Sequence, residues 1–470
     1  MGRSLGYAAI LIAAVAVLML FPPVARASGA RVDAMGDLYG FLGDDEDWFL
    51  NPAFLGGVED KVLDLTYGTG RVDSRKTATS GAGGVINTGE TLDGLILWGG
   101  DPFDPFGPTP PIFALTIPQS LIFTTVLPFP EKNAAGNTFA VRYARDLFSY
   151  AGEKEEKGLP TVNTKSSFEM SRQAITILDG WKANQRLALG FGYTLKPAPL
   201  AQAFHAEIAD SSGGSATFEE TYEDKQALNS YQAGLAYRFD QKNTLDLAVS
   251  YDKRSGDYEI IDKIIVNPLP GVSLKTPFSQ DFGAGRVRLG FRHDPTENTS
   301  VLLALTGSAS TTKVESQEKK TILDEKDQAL ELAGGFRTRT ERWTLAGNAR
   351  VTGQAMETVQ KGDIPDLGGM VRTYFNLGGE YRITSALCFR AGVGLDALRD
   401  PYQDPAAPPP TPSFQTTLGL GYTIDNFIFD LAVPILLADA QTTKDSLTGL
   451  PAEFTSSVRY QARFSISTRF

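Results

Sequence analysis

The sequence holds one cysteine and two histidines in 470 residues. A single thiol, Cys388, excludes a disulfide framework, a CxxC redox pair and a c-type haem attachment. Two distant histidines, His205 in a long connection and His293 at a turn, supply no zinc set, and no cofactor or metal is implied. Basic residues are outnumbered, 44 Lys and Arg against 55 Asp and Glu, for a net charge of -11. That balance opposes nucleic acid as a partner, because counterion release requires a basic surface. No GxSxG and no Ser/His/Asp pattern occurs, so nothing points to an enzyme. After residue 27 no run approaches the ~20 apolar residues of a spanning helix. The longest, 431–438, has eight and contains Pro434. The mean hydropathy of -0.14 is that of a soluble chain.

What is present begins with an address. Arg3 gives a basic start, 5–21 is an apolar core, and Pro22 and Pro23 end it before Ala25-Arg26-Ala27. Residues 1–27 therefore read as a secretory signal peptide, with cleavage expected before Ser28. No cysteine stands near that site, which excludes a lipoprotein. Without Arg3 and Arg26 the chain carries 42 basic against 55 acidic residues, or -13. An exported chain without helical spans is either soluble or a β-barrel.

From about residue 137 the sequence alternates with a period of two. Leu187, Leu189, Phe191, Tyr193 and Leu195 interleave with Arg186, Ala188, Gly190, Gly192 and Thr194; Leu245, Leu247, Val249 and Tyr251 interleave with Thr244, Asp246, Ala248 and Ser250. Successive strand side chains point to opposite faces, so each such segment is an amphipathic strand. The segments are about twelve residues long and too numerous for one small soluble core. Their second face is rich in glycine and arginine, including Arg286, Arg288, Arg337, Arg342, Arg372, Arg382, Arg390 and Arg459. In a membrane barrel that face lines the lumen while the apolar face meets lipid. The arginines can select anions, or they can pair with Asp246, Glu331, Glu380, Asp396 and Asp430 and fill the interior. Tyr143, Tyr193, Tyr251 and Tyr381, at strand ends, suit interfacial girdles.

Connections alternate between short ones, such as 240–242, 384–385 and 425–426, and long ones, such as 196–226, 254–280 and 397–412, as periplasmic turns and outer loops do. Counting segments gives sixteen strands, with fourteen still open; 92–98 and the Pro-rich 101–118 are the hardest to read. The expected fold is all-β, a transmembrane antiparallel barrel of 14 to 16 strands over 59–470. Its last segment alternates Phe464, Ile466 and Phe470 with Arg463, Ser465 and Arg469. That ending resembles the C-terminal signal by which bacterial outer-membrane barrels are recognised, making the barrel-assembly machinery and outer-membrane lipid expected partners.

Residues 28–58 do not alternate. They hold Asp44 to Asp47, then Trp48, Phe49, Leu50, Asn51, Pro52, Ala53, Phe54 and Leu55. The acidic run lacks calcium-loop spacing and reads as a solvated turn or a partner of the lumen arginines. The apolar residues need a burial place, and the barrel interior offers one. Here Met35-Gly36, the pair Asp44 and Asp45, and Asn51-Pro52-Ala53 resemble the long-chain fatty-acid transporter family of the Gram-negative outer membrane. The resemblance implies a 14-stranded barrel, an N-terminal hatch formed by residues such as Asp44, Asp45, Trp48, Phe49, Asn51, Pro52 and Phe54, and passive uptake of hydrophobic or amphipathic small molecules such as fatty acids through a lateral wall opening. A shuttle barrel that holds a secreted protein, and a general polar porin, are the alternatives.

Overall fold

The computed structural model describes residues 29–35, 47–79, 85–86, 92–93, 119–129, 136–156, 162–197, 200–210, 215–224, 227–267, 272–316, 321–360, 366–399, 413–437, 441–444 and 451–469. The expected signal peptide 1–27, Asp44, Asp45, the 101–118 stretch and Phe470 lie outside the described residues. Among those described, no helix is long and apolar enough to cross a membrane.

Sixteen strands form a closed antiparallel ring. In order they are Val62–Thr79, Gln119–Phe129, Asn137–Glu156, Val162–Lys182, Leu187–Lys196, Leu228–Arg238, Asn243–Asn267, Val272–Thr296, Thr299–Ser316, Thr321–Arg339, Trp343–Gln360, Asp366–Arg382, Leu387–Arg399, Ser413–Ile424, Phe427–Leu437 and Pro451–Arg469. The last pairs with the first from Val62↔Arg469 to Ala78↔Glu453, which closes the ring. The number is sixteen, not the fourteen that the family resemblance implies, and each strand overlaps one of the alternating segments of the sequence.

The pleat sorts the residues. Leu245, Leu247 and Val249 fall on the outer face with Phe291, Leu289 and Val287 as their cross-strand partners, while Asp246 and Arg288 fall on the inner one. Leu289 is 43% exposed and Asp246 2%. Exposed Phe191, Leu303, Leu332, Phe375, Leu418 and Phe464 continue the same outward belt around the ring. An apolar exterior over a polar interior is the arrangement that a bilayer stabilises and water does not. The barrel is accordingly an outer-membrane one.

Short turns close one end. Asn184 Oδ1 accepts from the backbone N–H of Arg186 and Leu187 at 2.8 and 2.9 Å, and Asp240 Oδ1 accepts from Lys242 and Asn243 at 2.7 and 2.8 Å. Thr384 Oγ1 repeats the device on Ala386 and Leu387. Such side-chain caps satisfy the backbone donors of tight turns. The side-chain amide of Asn243, together with the backbone N–H of Lys242 and Asn243, holds the Asp240 carboxyl below its ordinary range.

The other end is where the strands outgrow the expectation. Asn243–Asn267 and Val272–Thr296 have 25 residues each, whereas a membrane crossing needs about 9 to 11. Much of what reads as long loop in the sequence is strand: 200–210, containing His205, pairs with 162–171, and 215–224 pairs with 258–267. In this outer extension the alternation persists with its faces exchanged. Lys253, Ser255, Asp257, Lys263, Ser273 and Lys275 are exposed at outward parity. Inner-face parity falls to Phe278, Phe282, Val314 and Leu323, interspersed with Arg254, Gln280 and Glu325. Water bathes the outside there, so charge turns outward and apolar residues turn in.

Candidate functional site

The N-terminal segment lies inside the ring, near the short-turn end, and is held to it at two places. The first is the helix Gly29–Ala34 with Met35. Ala30 and Ala34 pack on Ala432, and Val32 and Met35 on Ala346, all fully or nearly fully buried. Arg31 donates from Nε to Glu380 Oε2 at 2.8 Å and from Nη2 to Oε1 at 3.3 Å. Glu380 also accepts from Arg390 Nε at 2.7 Å, and Arg390 Nη1 reaches Asp430 Oδ1 at 2.5 Å. The helix backbone adds a bond from Thr417 Oγ1 to the Ala34 carbonyl at 2.9 Å. Buried charges of this kind persist only when paired and hydrogen-bonded, as these are.

The second anchor is the short helix Asp47–Leu50 followed by the 3-10 turn Pro52–Gly57. Asn51 opens that turn: its Oδ1 accepts from Ala53 N at 3.0 Å, and Pro52 occupies the first position, where its missing N–H is not needed. The same amide donates to the wall carbonyls of Leu235 and Leu247 at 3.2 and 3.3 Å and lies 3.5 Å from Asp246 Oδ1. Gln232 Nε2 donates to the carbonyls of Phe49 and Leu50 at 3.1 and 3.0 Å. Arg142 sits 3.4 Å above the Phe49 ring, a buried cation–π contact. Trp48 and Leu55 join Val62, Val126, Ala140 and Leu178 in one apolar cluster, with Phe49, Phe54 and Val58 against it.

Glycine makes both anchors possible. A Cβ at Gly190 would overlap the backbone of Pro52 and Ala53, and one at Gly378 the carbonyl of Met35. Only a residue without a side chain lets the wall approach the segment so closely.

Above the anchors the interior is polar and paired. Arg288 binds Asp246, Arg372 binds Asp396 at 2.5 Å, and Glu331 accepts from Thr352 at 3.2 Å. Every carboxylate that the sequence offered to the lumen arginines thus has a partner. Arg286 and Arg337 lie half-buried on the inner face, and Arg337 donates to Ser300 at 3.2 Å. Arg342 and Arg382 are exposed at the short-turn end, because they flank turns and not the middle of a strand. Arg459 is placed only by register, between Val72 and Leu436. Phe464 is exposed on the outer face, and Ile466 shares its parity, opposite Leu65 and Phe429.

Of the expected hatch residues, Trp48, Phe49, Asn51, Pro52 and Phe54 come together in the second anchor. Sequence reasoning offered Arg390, Glu380 and Asp430 to the lumen as a class but missed Arg31, which joins them. Their separations of 349 residues, Arg31 to Glu380, and 40, Arg390 to Asp430, leave no local pattern. The available signal was one arginine inside an otherwise small and apolar GARVDA segment.

No family model matches this chain, and no curated protein matches it. Solved barrels do. A FadL homologue from Pseudomonas aeruginosa is 14% identical, covering 96% of this chain and 99% of that one with a TM-score of 0.48. The toluene transporter TodX of Pseudomonas putida is 13% identical over 95% and 99%, with a TM-score of 0.46. The toluene transporter TbuX of Ralstonia pickettii is 13% identical over 94% and 98%, with a TM-score of 0.42.

Proposed function

We propose that this barrel is a passive outer-membrane channel for hydrophobic or amphipathic small molecules, exported by residues 1–27 and closed by a hatch formed from 28–58. The observation that carries the reading is the exchange of faces in the outer extension. It puts Phe278, Phe282, Val314 and Leu323 on the inner side of a wall whose outer side bears Lys253, Asp257 and Lys275. A polar porin gains nothing from an apolar inner face above its pore. A hydrophobic ligand does, because moving it there from water is worth ~0.8 kcal/mol per CH₂.

The ligand would descend from that face toward the hatch and pass when an anchor lets go, driven by its own gradient. A long-chain fatty acid fits such a path by its chain, while its carboxylate would meet Asp252 and Asp327 as well as Arg286.

Deletion of 28–58 tests the hatch: the intact protein should be closed in planar bilayers and the truncated one ion-conducting. Equal conductance would sink the hatch assignment. Analysis of what co-extracts with the purified barrel tests the cargo. A hydrophobic small molecule is expected, whereas a stoichiometric secreted protein would replace the channel reading with a shuttle.

A further inference from the structure

A cavity opens on the inner wall between the apolar outer end and the hatch. Asp252, Phe282, Arg286, Ser308, Ser310 and Asp327 line it. The register stacks them in rows. Arg286 and Ser308 share the lowest; Asp252, Ala284, Ser310 and Asp327 share the next one outward; Phe282 stands in the row above with Arg254, Thr312 and Glu325. Val314 and Leu323 follow farther out, and Arg288, bound to the same Asp246 that lies against Asn51, stands one row below. A descending molecule therefore meets a wall of mixed character with Phe278, Phe282, Val314 and Leu323 on it, then this cup, then the hatch.

The cup is roomy because Ala284 and Ala329 put only methyl groups on its floor. Its chemistry is acidic on balance: two carboxylates face one guanidinium, and the remaining polar groups are hydroxyls and amides. Gln354 Nε2 orients Asp327, donating to both carboxylate oxygens at 3.1 Å, which leaves lone pairs on each for a further donor. Arg286 and Asp252 are each already engaged, so Asp327, held by Gln354, is the acid with lone pairs to offer.

We propose that this cup receives the head group of an amphipathic ligand, and that it takes a neutral hydroxyl or a cationic amine in preference to a carboxylate. The assignment rests on the channel reading above. A hydroxyl can donate to Asp327 and accept from a serine, and an ammonium donates to Asp327 with the Asp252 carboxylate close by. A carboxylate has no proton to give and adds a third negative charge to a confined site, where like charges repel more strongly than in water.

The test is calorimetric titration of the full-length protein in lipid nanodiscs at pH 7 with decanol, decylamine, decanoate and decane, corrected by empty discs. Decanol and decylammonium should bind about tenfold or more tighter than decanoate, a gap of one decade in Kd. The double variant D252N/D327N should bring decanoate to within about twofold of decanol. A second variant, Ser310→Leu, fills the cup and should weaken decanol and decylammonium about tenfold while leaving decane unchanged. Decanoate binding as tightly as decanol to the unmodified protein would overturn the proposal, as would a double variant that still discriminates or a Ser310→Leu protein that keeps full alcohol binding. Binding of none of the four, decane included, would overturn the channel reading itself.

Discussion

The two anchors of the N-terminal segment hold it by different physics. At Gly29–Ala34 the contact is ionic: a six-residue helix with small apolar residues is fixed by Arg31 in a set of four buried charges. At Pro52–Gly57 the contact is one of shape, with glycine walls, wall carbonyls held by an amide, and Trp48 and Leu55 in an apolar cluster. Shape complementarity has no substitute once lost, since a gap forfeits its dispersion contacts. An ionic contact released into a wet lumen recovers hydration, so the free energy of opening it is smaller than the free energy of mutating it. For the hatch proposed above, the difference predicts that the helix is the releasable end and the 3-10 turn the fixed one.

The largest expected effect is from Glu380→Ala. It strands Arg31 and Arg390 around one remaining acid, Asp430, and should destabilise the docked segment by about 3 to 5 kcal/mol. The readout is frequent channel opening in planar bilayers from a barrel that still migrates as folded before boiling. Gly190→Val attacks the other anchor. Its side chain meets the Pro52 backbone and should cost about 3 kcal/mol, with opening that is persistent rather than flickering. Indistinguishable traces from the two variants would mean that the anchors act as one unit. Asn51→Ala removes a cap and two wall bonds for about 1 to 3 kcal/mol, measured as the shift in thermal release of the segment by limited proteolysis. Thr417→Val, which loses one bond to the Ala34 carbonyl, should cost about 1 kcal/mol. Amide exchange orders the two ends without mutation: 31–35 should exchange before 53–58, and the reverse order would invert the assignment.

Much of this was readable beforehand, and the failures have physical causes. Period two located the strands from about residue 137 onward, because apolar-out alternation such as Leu245-Leu247-Val249 has no helical counterpart, while the poorer pattern of the first strands left fourteen open beside sixteen. The outer halves look like loops in the sequence because Ser255 and Asp257 break the apolar-out rule, although Tyr258 and Ile260 keep the alternation in the opposite phase. A strand that leaves the membrane keeps its period and reverses its faces, and only the second property was being used. In the site, Trp48, Asn51 and Pro52 were legible as apolar residues around a turn with nowhere else to go. Asp246, Glu380, Asp396 and Asp430 were legible as partners for arginines as a class. Which arginine meets which acid was not, since register decides it: Glu380 lies opposite Arg390, and Gly421 is the residue that sets Asp430 beside them. Arg342 and Arg382 share the residue type but stand at turns, and they are exposed.

The seam between Val62–Thr79 and Pro451–Arg469 bears on how the molecule comes to exist. Its seventeen register pairs join residues almost 400 apart, so they are the most non-local contacts of the wall and among the slowest to be reached by diffusion of the chain. Until they form there is a curled sheet and no inside. Arg31 and Asn51 gain their low-dielectric surroundings only when that sheet becomes a tube, so the segment made first is ordered last, and a barrel stalled with its seam open would be a barrel without its stopper.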